Sequence, residues 1–104
     1  MSDRLKKFTN YIELFDFYGE LLTIHQQNIM NDYYLLNLSL KEISEIRGIS
    51  RNAVNDALKK AIAKLEVYEE KLGLIKLFQK LKKIEDPKIK QLVIDIESKI
   101  KNGI

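Results

Sequence analysis

The stretch "LSLKEISEIRGISRNAVNDALKKAIAKL", Leu38–Leu65, decides the fold of this 104-residue chain. A short break, "GIS" at residues 48–50, separates two segments whose apolar residues recur at helical spacing. Gly48 permits the left-handed backbone that a tight corner needs, and Ser50 is a good cap for the helix that follows. The pattern predicts two helices that cross at a tight turn, as in a helix-turn-helix.

Apolar residues on both sides of the break are expected to seal the inner angle of this motif. Ile43 and Ile46 contribute from the first helix, and Ile49 fills the corner. The second helix contributes a longer row: Val54, Ala57, Leu58, Ala61, Ile62 and Leu65. Because these positions share one side of a helix, the opposite side is left free for solvent or a ligand.

Start and stop signals predict helices in the rest of the chain as well, so we expect an all-α fold. "TIHQ" at residues 23–26 and "SLKE" at residues 39–42 are capping boxes, which begin helices. A first helix is expected over about Arg4–Leu22, and a second from the first box to about Leu36.

The carboxy-terminal part is also predicted to be helical. Gly73 is a candidate C-cap or kink after the long helix. Asp86 is a candidate N-cap, with Pro87 in the first turn of a last helix to about Lys101. We therefore expect a helix-turn-helix bundle over residues 1–72 and a helical extension over residues 73–104, which packs on the bundle or on a partner subunit.

Composition excludes several classes of protein. The chain has no cysteine, a single histidine (His25) and a net charge of only +3. No signal peptide or membrane-spanning run is visible, so we expect a cytoplasmic protein without membrane insertion. No phosphate-binding glycine loop, zinc spacing or nucleophile–base pair is present, so we expect neither an enzyme nor a bound cofactor or metal.

The second helix of the opening stretch carries the residue types that read nucleic acid. Residues 39–65 hold 6 basic and 3 acidic side chains. Arg51 can pair with guanine, and Asn52 or Asn55 with adenine. Asp56 opposes phosphate binding unless it pairs with Lys60, four residues on. The predicted contact residues are Lys41, Ser50, Arg51, Asn52, Asn55, Lys59 and Lys60.

An apolar seam continues beyond the motif at alternating spacings of three and four residues, the spacing of a heptad repeat. One interpretation is that this stripe packs against the first and last helices of the same chain. The other is that part of it forms a homodimer interface. The residues predicted for that interface are Leu65, Tyr68, Leu72, Ile75 and Phe78.

The chain resembles known proteins at two levels. Residues 21–65 resemble the fourth region of sigma factors, a four-helix module that reads promoter elements. The closer resemblance is to the YlxM family, small bacterial proteins encoded beside signal recognition particle genes. The words that carry it are "LFDFYGELLT" (14–23), "YYLLNLSLKEIS" (33–44), "SRNAVNDALKK" (50–60) and "YEEKLGL" (68–74).

The resemblance implies a sigma-like helical fold, a regulatory role in the signal recognition particle pathway and no catalytic residues. Two positions depart from the family pattern. Asn55 stands where an aromatic residue is common, and Arg47 where an apolar residue usually closes the core of the motif. We expect the aliphatic stem of Arg47 to cover that gap while its guanidinium group reaches outward to solvent.

Two classes of function stay open at this point. The protein binds nucleic acid, either DNA or the particle's RNA, through its helix-turn-helix. Alternatively, it is an adaptor that contacts the particle's protein component. A continuous basic face over Lys41, Arg51 and Lys59 favours nucleic acid, whereas a face interrupted by acidic residues beside an exposed apolar patch favours protein.

Overall fold

The structure is a computed structural model that describes residues 3–102 and the side chains of residues 10–102. Within residues 3–102 it contains six α-helices. The helices are α1 (Asp3–Tyr18), α2 (Ile24–Met30), α3 (Leu40–Arg47), α4 (Arg51–Leu72), α5 (Leu74–Leu81) and α6 (Pro87–Asn102). No strand occurs within residues 3–102, and the predicted all-α fold is confirmed. In the same range, no helix combines the length and the apolarity that crossing a bilayer requires.

Local capping begins the helices where the sequence predicted. The Thr23 hydroxyl accepts from the N–H of Gln26 at 3.1 Å, and the Gln26 side chain accepts from the N–H of Thr23 at 3.1 Å. Ser39 and Glu42 form the same reciprocal pair at 3.0 Å in front of α3. Asp86 accepts from the N–H groups of residues 88 and 89 at the start of α6. These bonds satisfy amide groups that a helix leaves unpaired at its amino end.

Two early helices end sooner than predicted. α1 stops at Tyr18, and a 3-10 turn over Gly19–Leu21 replaces its last expected turn. Gly19 is buried, and a Cβ atom there would lie 2.8 Å from the ring of Phe15, so only glycine fits this close approach. α2 stops at Met30 and continues as a wider π-helical turn over Asn31–Leu35.

The core lies where α1, α2 and α3 pack around the buried side of α4. Its least exposed large side chains are Tyr18, Ile29, Met30, Ile43, Leu65 and Val54. Aromatic residues of the first two helical segments line this core rather than the surface, as Tyr11 and Tyr34 show by meeting edge to face at 6.0 Å between ring centroids. Burial of this apolar surface supplies the main driving force for folding.

The carboxy-terminal helices pack back onto α1 of the same chain. The rings of Phe17 and Phe78 lie 5.7 Å apart, which joins α5 to α1. In α6, Glu97 binds Lys82 at 2.9 Å and Lys101 at 3.3 Å, and the Lys101 ammonium sits 5.1 Å above the ring of Phe17. Residues 73–102 are therefore held on α1 by the contact between two aromatic rings and by a cation–π contact, while the ion pairs join parts of residues 73–102 to each other.

This packing bears on the five residues predicted for a dimer interface. Leu65, Ile75 and Phe78 are buried in the chain's own core, and Tyr68 is half-buried. Leu72, 57% exposed, alone among the five shows most of its surface to solvent. The assignment of Leu65, Ile75 and Phe78 to a subunit interface is corrected, because these side chains are buried in the core of the single chain. A homodimer itself stays a prediction.

A fixed joint connects α4 to α5. Gly73 ends α4 with a left-handed backbone, at φ 62°. The Tyr18 hydroxyl donates to a carboxylate oxygen of Glu69 at 2.5 Å and accepts from the N–H of Leu74 at 3.1 Å. Glu69 also accepts from the N–H groups of Ile75 and Lys76, at 3.1 and 3.2 Å. A side chain of α4 thus caps α5, and α1 holds that cap in place.

Candidate nucleic-acid interface

The turn between α3 and α4 has the geometry that its sequence predicted. Gly48 adopts φ 66° and ψ 34°, the left-handed conformation that glycine tolerates best. The N–H of Ile49 then donates to the carbonyl of Ser44 at 3.1 Å, and the Ser50 hydroxyl accepts from the N–H of Ala53 at 3.0 Å. The chain therefore leaves α3 and enters α4 within a few residues.

The inner angle of the motif is sealed by fewer residues than expected. Ile43, Val54 and Leu58 are buried, and Ile49 is half-buried in the corner. The prediction for Ile46 is wrong, because this side chain is 64% exposed. Ile46 lies about 60° around the helix to one side of Ile43, whereas the other less exposed residues of α3 extend to the opposite side of it: Leu40 and Ser44.

Arg47, rather than Ile46, follows Ile43 on the same side of α3. It lies four residues after Ile43, so a helix places it almost directly above that residue. Its Nε and an Nη atom donate to the two carboxylate oxygens of Asp32 at 2.8 and 2.9 Å. The guanidinium was expected to reach solvent without a protein partner; it pairs instead with this carboxylate, which is only 4% exposed, while the Arg47 side chain stays 33% exposed. This two-pronged geometry is among the stronger ionic contacts in proteins.

Asp32, the partner of this arginine in the helix-turn-helix, is the residue that the sequence analysis did not identify. It lies in the π-helical turn after α2, 15 residues before its partner. The bond joins this turn to the last turn of α3. The hydrogen bond with Asp32 also raises the pKa of Arg47 above the ordinary value of an arginine. A signal was present in the sequence, since an arginine in place of an apolar closing residue calls for a buried acid nearby.

The outer side of α4 presents the predicted contact residues. Arg51, Asn52 and Lys59 are exposed, and Asn55 is half-exposed. At about 100° per residue these four positions fall within about 100° of each other around the helix axis. Lys60 is also exposed, beyond Asp56 on the far flank of the same side. The predicted α4 residues therefore form one stripe and a flank, which we call the α4 stripe (Arg51, Asn52, Asn55 and Lys59).

Ion pairing decides which of these charges are available. Lys60 binds Asp56 at 2.9 Å, so one of the conditions under which Asp56 opposes phosphate binding less is met. Within residues 10–102, the structure shows no ion pair for Lys41, Arg51 or Lys59. The α4 stripe thus keeps its positive charge.

The outer side of α3 has a different character. Glu42 and Glu45 are exposed there beside the exposed side chain of Ile46, and Lys41 is the basic member of this surface. A backbone hydrogen bond from Ser39, within the capping box, lowers the pKa of Glu42, so its carboxylate is charged at neutral pH. By the criterion set out in the sequence analysis, the α3 surface therefore favours a protein partner, whereas the α4 stripe, which contains no acidic residue, favours nucleic acid.

The amino end of α4 adds to the positive character of its stripe. Ser50 and the first three residues of α4 are exposed, so protein does not cover this end. The N–H groups of Arg51 and Asn52 stand in the first turn, where a helix provides no carbonyl partner. Together with the helix dipole, these groups favour an anion. Arginine, two amides and free N–H groups at one helix end are the chemistry of base and phosphate recognition.

Comparison with known proteins agrees with this geometry. The family model described as "Putative helix-turn-helix protein, YlxM / p13 like" matches residues 5–103. The UPF0122 protein of Caldanaerobacter subterraneus subsp. tengcongensis is 58% identical over 81 residues, which cover 77% of this chain and 68% of that protein. A UPF0122 protein of Thermoanaerobacter sp. is 45% identical over 102 residues, 84% of this chain and 87% of that protein.

A UPF0122 protein of Bacillus cereus is 47% identical over 93 residues, which cover 89% of this chain and 84% of that protein. The match of the family model extends over α1 to α6, so it includes the helix-turn-helix and the carboxy-terminal helices alike. With the fold, the motif and these relatives in agreement, the chain belongs to the UPF0122 family of YlxM / p13-like helix-turn-helix proteins.

Proposed function

We propose that this protein is a non-enzymatic regulatory protein of the cytoplasm that binds nucleic acid through the amino end of α4. The observation that carries the proposal is the α4 stripe: an uncovered helix end with an unpaired arginine, two amides and an unpaired lysine on one side. A reader of this kind places the start of its second helix in the major groove. In this proposal Lys41 contacts a phosphate, and Lys60 contacts one by exchanging its ion pair with Asp56 for it.

The Arg47–Asp32 pair gives the proposal further support. It ties the end of α3 to the turn after α2, and so restrains the helix that precedes the reading helix. Recognition of bases requires side chains held in a narrow range of positions. A bidentate pair with one buried partner provides that restraint at the short α3 helix.

We extend the proposal to the signal recognition particle pathway, with DNA or the particle's RNA as the nucleic acid. The resemblance of residues 14–74 to YlxM proteins supports this extension. The second candidate is an adaptor that binds the particle's protein. The outer side of α3 favours it, because Ile46 is exposed there between acidic residues. An apolar side chain with an acidic surround suits a protein surface better than a phosphate backbone.

The test is a salt titration of binding to duplex DNA and to structured RNA. Arg51→Ala should weaken binding and, where Arg51 reads a base, relax sequence preference by about 1–3 kcal/mol. Lys59→Ala should weaken binding to all sequences alike and lower the salt slope by about one. Lys71→Ala is the matched control, since Lys71 is an exposed lysine at the other end of α4. If Arg51→Ala and Lys59→Ala both bind as the wild type does, the α4 stripe is not the binding surface, and the adaptor function replaces this proposal.

A further inference from the structure

We propose that a second basic surface, on α5, binds the phosphate backbone of the same nucleic acid that the α4 stripe contacts. This surface consists of Lys76, Lys80 and Lys83, and we call it the α5 lysine ridge. The inference rests on the proposed function, since it adds a second contact to it. It also makes a claim of its own, namely that the carboxy-terminal extension takes part in binding.

The ridge lies on one side of a short amphipathic helix. Ile75 and Phe78 face the core from α5 and are buried. The three lysines are spaced by four and three residues, so they fall on the side away from the core and are all exposed. Lys83 stands in the turn that closes α5, where its N–H donates to the carbonyl of Lys80 at 3.2 Å. At 1.5 Å per residue the ridge is about 10 Å long.

The charges of the ridge are not neutralised within the described part of the chain. The carboxy-terminal ion pairs use Lys82, Lys90 and Lys101, and none of them uses a ridge lysine. Like charges at this spacing repel each other on a helix, which costs stability unless an anion lies over them. The arrangement therefore suits a polyanion whose charges follow one another along a line.

The amino end of the ridge is its weaker end. Lys76 lines a cleft that also contains Glu66, Glu69 and Glu70 of α4. Glu69 is engaged by Tyr18 and by backbone N–H groups, but the other two carboxylates offset part of the charge of Lys76. We therefore expect Lys80 and Lys83 to contribute most of the attraction to phosphates.

The buried side of α5 distinguishes nucleic acid from an anionic membrane. A helix that binds at a lipid surface inserts its apolar side into the headgroup region. In this protein that side is already packed: Phe78 meets Phe17 of α1 at 5.7 Å, and Ile75 is in the core. The ridge can therefore offer charge alone, which is the way proteins bind a phosphate backbone.

The length of α4 sets the size of nucleic acid that reaches both surfaces. The α4 stripe starts at the amino end of α4, which is 22 residues long, and a single residue separates the carboxyl end of α4 from α5. At 1.5 Å per residue, Arg51 lies about 33 Å along α4 from the start of α5, close to one turn of duplex DNA. A duplex shorter than that cannot extend from Arg51 to the ridge, so the contribution of the ridge should depend on duplex length.

The experiment compares two triple variants of the full chain on short and long duplexes. The ridge variant is Lys76→Gln, Lys80→Gln and Lys83→Gln. The matched control removes the same charge from three other exposed lysines: Lys71, Lys88 and Lys99. Binding is measured by fluorescence anisotropy across a salt series, on duplexes of about 8 and about 24 base pairs, which span about 27 and about 82 Å. DNA duplexes and RNA hairpins of both lengths form separate arms.

On the long duplex we expect the ridge variant to lower the salt slope by about two, since each phosphate contact contributes about 0.9. The control should lower it by less than one. On the short duplex, the ridge variant and the control should bind alike. The Lys→Arg version of the ridge should bind as the wild type does, which excludes misfolding as the cause of a loss.

Four results would overturn the inference, and the last of them would overturn the proposed function as well. Equal salt slopes for the ridge and control variants on the long duplex would show that only net charge matters. Loss of binding to vesicles of anionic lipid, without loss of binding to nucleic acid, would assign the ridge to membranes. If Arg51→Ala weakens binding while the ridge variant does not, the second contact fails and the proposed function stands. If the wild type binds no nucleic acid of either length, both proposals fail together.

Discussion

Removing the hydroxyl group of Tyr18 tests the joint between α4 and α5 most directly. Tyr18 is only 1% exposed, and its hydroxyl donates to Glu69 and accepts from the N–H of Leu74. Tyr18→Phe keeps the ring in the core but removes both bonds. A hydrogen bond to a charged group contributes about 1.5–3 kcal/mol, and a neutral one about 1 kcal/mol. Because Glu69 keeps its two backbone donors, we expect a loss of about 2–3 kcal/mol at pH 7.

The same joint makes stability depend on pH in alkaline solution. Burial, then the hydrogen bond to Glu69, raises the pKa of Tyr18 from 10.0 to about 12. A folded-state pKa above the unfolded one means that this stability is complete below pH 10 and is lost as the pH rises towards 12. At pH 11 the loss is roughly 1.4 kcal/mol, from a linkage of 1.36 kcal/mol for each tenfold change in proton affinity. Tyr18→Phe should lack this part of the pH dependence.

The assay is urea denaturation followed by circular dichroism at pH 7 and pH 11. Burial also raises the pKa of Tyr34 to about 12, and lysines lose their protons in the same range, but both effects are common to wild type and variant. The difference between the two proteins should therefore narrow at pH 11. Tyr33→Phe, at a half-buried tyrosine away from the joint, is the matched control. A loss below about 0.5 kcal/mol at pH 7, within the range of a neutral surface change, would refute the reasoning.

Three further predictions concern the motif and the extension. Leu58→Ala should cost about 2–5 kcal/mol in denaturant melts, because Leu58 is buried against the inner angle, and a cost under 1 kcal/mol would contradict that packing. Gly48→Ala should cost about 1–2 kcal/mol from backbone strain alone, since its φ is 66° and no atom lies within 4 Å of the added Cβ; an unchanged melting curve would count against it. Although burial opposes it, the hydrogen bonds from Lys82 and Lys101 lower the pKa of Glu97. In denaturant melts, the free energy of unfolding of the wild type should therefore decrease below about pH 4.5, and that of Glu97→Gln should decrease less steeply with falling pH.

The sequence by itself determined the ends of most helices. Thr23, Ser39 and Ser50 cap helices with bonds that reach three residues along the chain, and Gly48 and Gly73 end helices with left-handed backbones. Such signals act within one turn, so they can be interpreted without knowledge of the rest of the molecule. The shared position of the α4 stripe residues on the outer side of α4 followed in the same way, because it depends only on helical periodicity and on the position of the cap.

Only the tertiary structure decided which of several equivalent side chains face inward and what they meet there. Ile46 and Arg47 are both compatible with α3 as a helix, and only the packing shows that Arg47 pairs with the buried carboxylate of Asp32 while Ile46 is left exposed. The bonds that orient α5, from Tyr18 to Glu69 and from Leu74 to Tyr18, join residues 51 and 56 positions apart. No local pattern records such distant pairs, because they form only when helices from both ends of the chain pack together.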